Sequence, residues 1–181
     1  MVELDDSTLV QQTLAGNLKG FERLVERYQK AVFNLAVRMV HDPDEAADVT
    51  QGAFVKAFEH LQSYDERYKF FSWLYRIAMN EALSYLRQRK QLVNVEEAGD
   101  IPAESNDELE AEEIAQKMES ALQALSDDQR SVVVLKHIEG LSYIEIARIL
   151  SISEKKVKSR LFSARVVLRG ALIKSGMGST L

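Results

Sequence analysis

The chain has 181 residues, 46% of them hydrophobic and 28% charged, with a net charge of −5; this balance supports a folded core and argues against disorder as the default. The absence of cysteine excludes disulfides, thiolate metal sites and cysteine nucleophiles. The acidic start Met1-Val2-Glu3-Leu4-Asp5-Asp6 lacks the basic region of a secretory signal, and no apolar run approaches the roughly 18 residues of a membrane span. A soluble, cytoplasmic protein with no membrane insertion is expected.

Apolar residues recur at three- and four-residue intervals, and the only prolines are Pro43 and Pro102. An all-α fold follows, in two small helical domains. Residues 8–18, 20–40, 43–63 and 69–90 read as successive helices of one bundle, placing a first domain over 1–90. Asp42-Pro43-Asp44-Glu45 marks the third start, with Asp42 as cap and Pro43 at the first helical position. That helix is expected to bury Ala47, Thr50, Phe54, Ala57, Phe58 and Leu61. Its flank carries Asp44, Asp48, Gln51 and Val55, a stripe acidic at one end and apolar at the other, suited to a basic helical partner. An acidic first turn that complements the helix dipole explains Asp44 equally well. The cap and the proline account for His41, Asp42 and Asp44 better than a metal does, so no metal and no cofactor is assigned.

In the fourth helix Arg76, Asn80, Ser84 and Arg87 share one polar face, and Lys69 closes the loop before it. Aromatics beside cations can stack on unpaired bases and hold phosphates. Phe71, Trp73 and Leu74 are read as packing, and a nucleic-acid role is kept for the polar face and residues 63–69. Residues 91–112, with Gly99, Pro102 and many acids but few large apolar groups, read as an acidic flexible linker. A second domain is expected over 113–175, followed by a frayed tail.

There Ser142-Tyr143-Ile144-Glu145 has the spacing of a capping box for a helix to Leu150. Ser151-Ile152-Ser153 makes a tight turn, and a long helix begins at Glu154. Val157, Leu161, Ala164 and Leu168 form its inward stripe. Lys155, Ser159 and Ser163 fall opposite, with Lys156 and Arg160 on one flank and Lys158 and Arg165 on the other. A basic helix alone usually signals solubility. A capped helix, a tight turn and a second helix together point to a helix-turn-helix whose second helix enters the DNA major groove.

Two motif blocks carry a family resemblance. Asp44-Glu45-Ala46-Ala47-Asp48-Val49-Thr50-Gln51-Gly52-Ala53-Phe54 and Phe71-Ser72-Trp73-Leu74-Tyr75-Arg76-Ile77-Ala78-Met79-Asn80 resemble the polymerase-binding helix and the promoter-melting segment of extracytoplasmic-function sigma factors. Leu141-Ser142-Tyr143-Ile144-Glu145-Ile146-Ala147 with Val157-Lys158-Ser159-Arg160-Leu161 resembles their minus-35 helix-turn-helix. The resemblance implies a subunit that binds core RNA polymerase (β′ and β) and directs initiation at promoter DNA without catalysing a reaction. It places Asp48, Gln51 and Phe54 on the helix facing the β′ coiled coil, and Arg76 and Asn80 near the minus-10 element. An anti-sigma factor is a further partner that the residues leave open. Gly52 stands where the family usually has an acid, Ser84 where it usually has Asp, and Ser151 where the turn usually has Gly. The competing class is a stand-alone helix-turn-helix regulator with a sensing bundle; a helical hydrolase has only Asp42, Asp44, Glu45 and Asp48 to offer, with no paired histidine or nucleophile at a convincing spacing.

Overall fold

The computed structural model describes residues 4–93 and 120–174. Residues 94–112 of the expected linker, the start of the second helical group at 113–119, and the tail from 175 lie outside the described residues. Every described element is helical. The chain separates into two compact units, residues 1–86 with 147–151 and residues 87–146 with 152–181, and each is described by itself.

The first unit opens with α1, Asp6–Leu14, capped by Asp5, whose carboxylate accepts from the Thr8 amide at 2.7 Å. The helix ends four residues earlier than its periodicity predicts, because Gly16 adopts φ 92° and turns the chain. In α2, Lys19–Val40, the inward face is Gly20, Leu24, Val32, Leu35, Ala36, Met39 and Val40. Gly20 lets the two helices touch: a Cβ there would lie 2.4 Å from the Leu9 carbonyl oxygen. Tyr28 of α2 donates to the Asp6 carboxylate at 2.6 Å, and Arg27 pairs with the same group. Burial first, then the Asp6 bond, pushes the Tyr28 phenol well above its ordinary range.

His41, at φ 61°, closes α2 and delivers the chain to α3, Pro43–Glu59. The Asp42 cap forms as the sequence predicts, accepting from the amides of Asp44 at 2.9 Å and Glu45 at 3.0 Å. The buried stripe is the expected one only in part: Phe54, Ala57 and Leu61 are buried as predicted, and Ala47, Thr50 and Phe58 are not. Ala46, Val49, Ala53, Phe54 and Ala57 face inward, while Ala47 is exposed, Thr50 half-buried and Phe58 45% exposed. The alanines let α3 lie close against α2, and Phe54 packs beside them, edge-on to Phe21 of α2. Phe58 instead sits at the rim against Phe21, centroids 5.1 Å apart. A 3-10 turn, Leu61–Ser63, buries Leu61 and leads to α4, Phe70–Val93, whose inward side includes Phe70, Leu74, Tyr75, Ala78, Met79, Ala82 and Leu86.

In the second unit a short helix, α5, Asp127–Val133, starts on a reciprocal capping box of Ser126 and Gln129. Arg130 is only 6% exposed and donates to the carbonyls of Leu122 at 3.1 Å and Leu125 at 3.2 Å, satisfying the backbone just before the cap. A π-helical turn, Val134–Ile138, continues α5, and Gly140 at φ 68° reverses the chain. α6 is Tyr143–Leu150, of which residues up to Ile146 group with this unit, and α7 is Glu154–Lys174. Glu145 accepts from the Ser142 amide at 2.9 Å while the Ser142 hydroxyl accepts from the Glu145 amide at 3.3 Å, the capping box expected there. Ser151 takes φ 54° in the turn, and Ser153 caps α7 through the Lys156 amide at 3.2 Å. α5 packs on α7, whose Val157, Leu161 and Ala164 are buried and whose Leu168 is half-buried.

Candidate nucleic-acid interface

Three exposed surfaces carry the residues singled out by the sequence. On α3, Asp44, Asp48, Gln51 and Val55 all face solvent, as one stripe. Phe54 does not join them. It is 8% exposed and meets Phe21 edge-on at 6.5 Å, because the backbone turn that exposes Val55 carries its neighbour inward. Beside the stripe, Lys56 is ion-paired with Glu81 of α4, and a Cβ at Gly52 would lie 3.0 Å from a Glu81 carboxylate oxygen. An acidic side chain at position 52 would meet that carboxylate, which gives glycine a physical reason here.

On α4, Arg76, Asn80 and Arg87 are exposed along one side, Ser84 is half-buried, and Lys69 is exposed in the preceding loop. The aromatics beside them divide. Phe70 and Tyr75 are buried, whereas Phe71 and Trp73 are half-buried. Trp73 lies 5.6 Å from both Phe70 and Tyr64, and Phe71 stacks 4.0 Å from Tyr75. This is a packed aromatic wall with one open edge, so the role in packing read from the sequence fits, though less completely for Phe71 and Trp73 than for Leu74.

On α7, Lys155, Lys156, Lys158, Ser159 and Arg165 are exposed around the buried stripe. Arg160 and Ser163 are less free than helix geometry suggests. Arg160 is ion-paired with Asp128 of α5, leaving its side chain 17% exposed. Ser163 is half-buried, its hydroxyl donating to the Arg160 carbonyl at 3.0 Å and lying 3.2 Å from the Gln129 amide nitrogen. The outward face also holds Phe162, 71% exposed, and Val166, 61% exposed, where only cations and hydroxyls were expected.

Sequence reasoning missed Lys136 and Tyr143. The π turn swings Lys136 toward Tyr143, so that its ammonium lies 5.1 Å from the ring centroid and donates to the Leu141 carbonyl at 3.0 Å. Lys158 approaches the same ring at 5.6 Å. Two cations therefore approach one aromatic ring at the start of the helix-turn-helix, an arrangement suited to a phosphate. Gly140 gives the only sequence signal, and it marks the turn without revealing the extra π residue. Among the described residues no group of His, Asp or Glu could hold a metal, and no helix is long and apolar enough to cross a membrane.

Residues 24–91 match the sigma-70 region 2 family and residues 115–168 the sigma-70 region 4 family. The RNA polymerase sigma-H factor of Pseudomonas aeruginosa is 35% identical over 95% of this chain and 96% of its own length. The ECF RNA polymerase sigma-E factor of Escherichia coli K12 is 37% identical over 90% of this chain and 92% of its own. The chain belongs to the extracytoplasmic-function sigma factors. A sigma factor of this group directs transcription initiation by RNA polymerase, and the stand-alone regulator is not favoured. Among solved structures, the sigma factor RpoE of Bartonella quintana in complex with the anti-sigma factor NepR aligns with a TM-score of 0.70 at 26% identity, covering 86% of this chain and 98% of that one. CnrH in complex with the cytosolic domain of CnrY aligns with a TM-score of 0.67 at 29% identity, covering 94% and 97%.

Proposed function

We propose that this sigma factor acts by three contacts and performs no chemistry of its own. The exposed flank Asp44, Asp48, Gln51 and Val55 of α3 docks on the β′ subunit of core polymerase. The loop before α4, with Lys69, Arg76, Asn80 and Arg87, holds the melted minus-10 strand. α7 enters the major groove at the minus-35 element, with Lys155, Lys156 and Ser159 toward bases and Lys158 and Arg165 toward phosphates. Residues 1–90 then serve as the polymerase and minus-10 domain, 113–175 as the minus-35 domain, and 91–112 as a tether.

The observation that carries this reading is the division of α7: Val157, Leu161 and Ala164 are 0–2% exposed, while the cations and Ser159 around them face solvent. The chain works in the cytoplasm, where polymerase is. An anti-sigma protein that covers these surfaces is a further partner, because both structural neighbours were captured with another chain, in one case a named anti-sigma factor.

In vitro transcription with core polymerase on a promoter library tests the reading. Promoter-selective transcripts only when the chain is added support it; tight operator binding by the chain alone, unchanged by polymerase, would sink it.

A further inference from the structure

The segment between the 3-10 turn and α4 is short, polar and exposed, and such loops ordinarily sample many shapes. Here side chains close it. The Tyr64 hydroxyl donates to the Tyr68 carbonyl at 2.6 Å, and the Tyr68 amide donates to the Asp65 carbonyl at 3.0 Å. Within that ring the Arg67 guanidinium grips the Asp65 carboxylate through Nε at 3.0 Å and Nη2 at 2.6 Å, while the Arg67 amide donates to Oδ1 at 3.0 Å.

Tyr64 also ties the closed loop to the body. Its ring stands edge-on to Phe70, centroids 5.4 Å apart, and Phe70 is 1% exposed. From the other side Gln11 of α1 donates to the Glu66 carboxylate, so the first helix of the chain reaches the same loop. Burial, then the charges of Asp6, Glu66 and Asp65, holds the Tyr64 phenol above its ordinary range.

We infer that Tyr64 is a positioning residue for promoter recognition: its hydroxyl and ring, with Gln11 on Glu66, hold residues 65–69 in one shape before DNA arrives. The inference rests on the proposed reading of this loop as the contact to the melted strand. A preformed loop loses little freedom on binding, and it cannot reshape around a base that does not fit. Weakening the frame therefore lowers discrimination between bases more than it lowers overall activity.

The test uses holoenzyme assembled from the full chain, on a promoter library randomised at the melted positions. Tyr64→Phe keeps the ring and deletes only the hydroxyl. It is expected to reduce the preference for the best base over the next by about two- to tenfold at one or two melted positions, the worth of one hydrogen bond, with preferences at the upstream element unchanged. A preference is a ratio, so it does not move with the fraction of folded protein. Gln11→Glu, which sets two carboxylates together, is expected to blur the same positions, and Gln11→Glu combined with Glu66→Gln to restore them with donor and acceptor exchanged. Wild-type preferences in both single variants, or an equal loss on every promoter, overturns the inference. Absence of any preference at the melted positions in the wild-type holoenzyme overturns instead the reading of the loop on which it rests.

Discussion

Arg160 sits on the flank of α7 where a phosphate contact is expected, yet its guanidinium is ion-paired with Asp128 and mostly covered. Reaching a phosphate from there means leaving one anion for another. If Arg160 makes that exchange, Asp128→Asn should tighten holoenzyme binding to all promoters alike and steepen its salt dependence by up to about one unit. An unchanged salt slope would fix Arg160 as a brace between α5 and α7. Among the described residues Lys158 has no such tie to a carboxylate, and it sits over Tyr143. Lys158→Ala is expected to weaken every promoter and lower the salt slope by about one, whereas Lys156→Ala should cost about 1–3 kcal/mol at a single base position. Identical behaviour of the two variants across a promoter library would remove the division between base and phosphate contacts. Ser151 poses a different question at the same scale. Its φ of 54° is costly for a residue with a Cβ, so Ser151→Gly should stabilise the chain by about 1 kcal/mol in a denaturant titration.

At the scale of elements, the caps and the inward stripe of α7 were legible in the sequence, and the packing of α3 was not. Asp42 with Pro43, Ser142 with Glu145, and Ser153 each combine a side-chain acceptor with a fixed spacing, so local chemistry alone decides them. The stripe on α3 depends on what lies opposite. A helix that offers Ala46, Ala47, Ala53 and Ala57 beside Phe54 and Phe58 has two plausible inward faces, and the close approach of α2 selects the one lined with alanine. The proposed docking flank is unaffected because Asp44, Asp48, Gln51 and Val55 remain outside either way, and Phe54 is buried as its place in the inward set predicts. Asp48→Arg is therefore expected to weaken affinity for core polymerase while leaving thermal unfolding unchanged; equal affinity in the folded variant removes the flank from the interface. The contact of α1 with α2 was equally hidden, since a glycine inside a helix announces nothing about its neighbour. Gly20→Ala should cost about 1–3 kcal/mol by forcing α1 off α2. The Tyr28 phenol bonded to Asp6 adds a pH signature to that contact. Its folded pKa is raised, so its stabilisation is complete below the ordinary value of 10.0 and is lost as pH rises above it. Tyr28→Phe should flatten the fall in unfolding midpoint above pH 10, and an unchanged alkaline slope would mean that the bond contributes nothing.

Charge is arranged on the scale of the whole molecule. Residues 66–90 carry six Lys or Arg against two Asp or Glu, residues 126–181 carry ten against five, and residues 91–112 carry eight acids and no base. The excess acid thus lies in residues 91–112 and in the first 65 residues, which carry eleven acids against six bases, while both regions assigned to DNA are basic. Interactions among exposed charges fade over about 8–10 Å at physiological salt, so an acidic tether opposes DNA binding only when it passes near the basic surfaces or when salt is low. Replacing the eight carboxylates of residues 91–112 by amides would take the net charge from −5 to +3. The free variant is then expected to bind non-specific duplex DNA several-fold more tightly than the wild type at low salt, with the gap closing as salt is raised, because the gain is electrostatic. Fluorescence anisotropy with an unrelated duplex over a salt series measures both. If the variant and the wild type bind that duplex equally at every salt concentration, the acid of the tether does not shield the basic surfaces, and its charge must act only within the assembled polymerase.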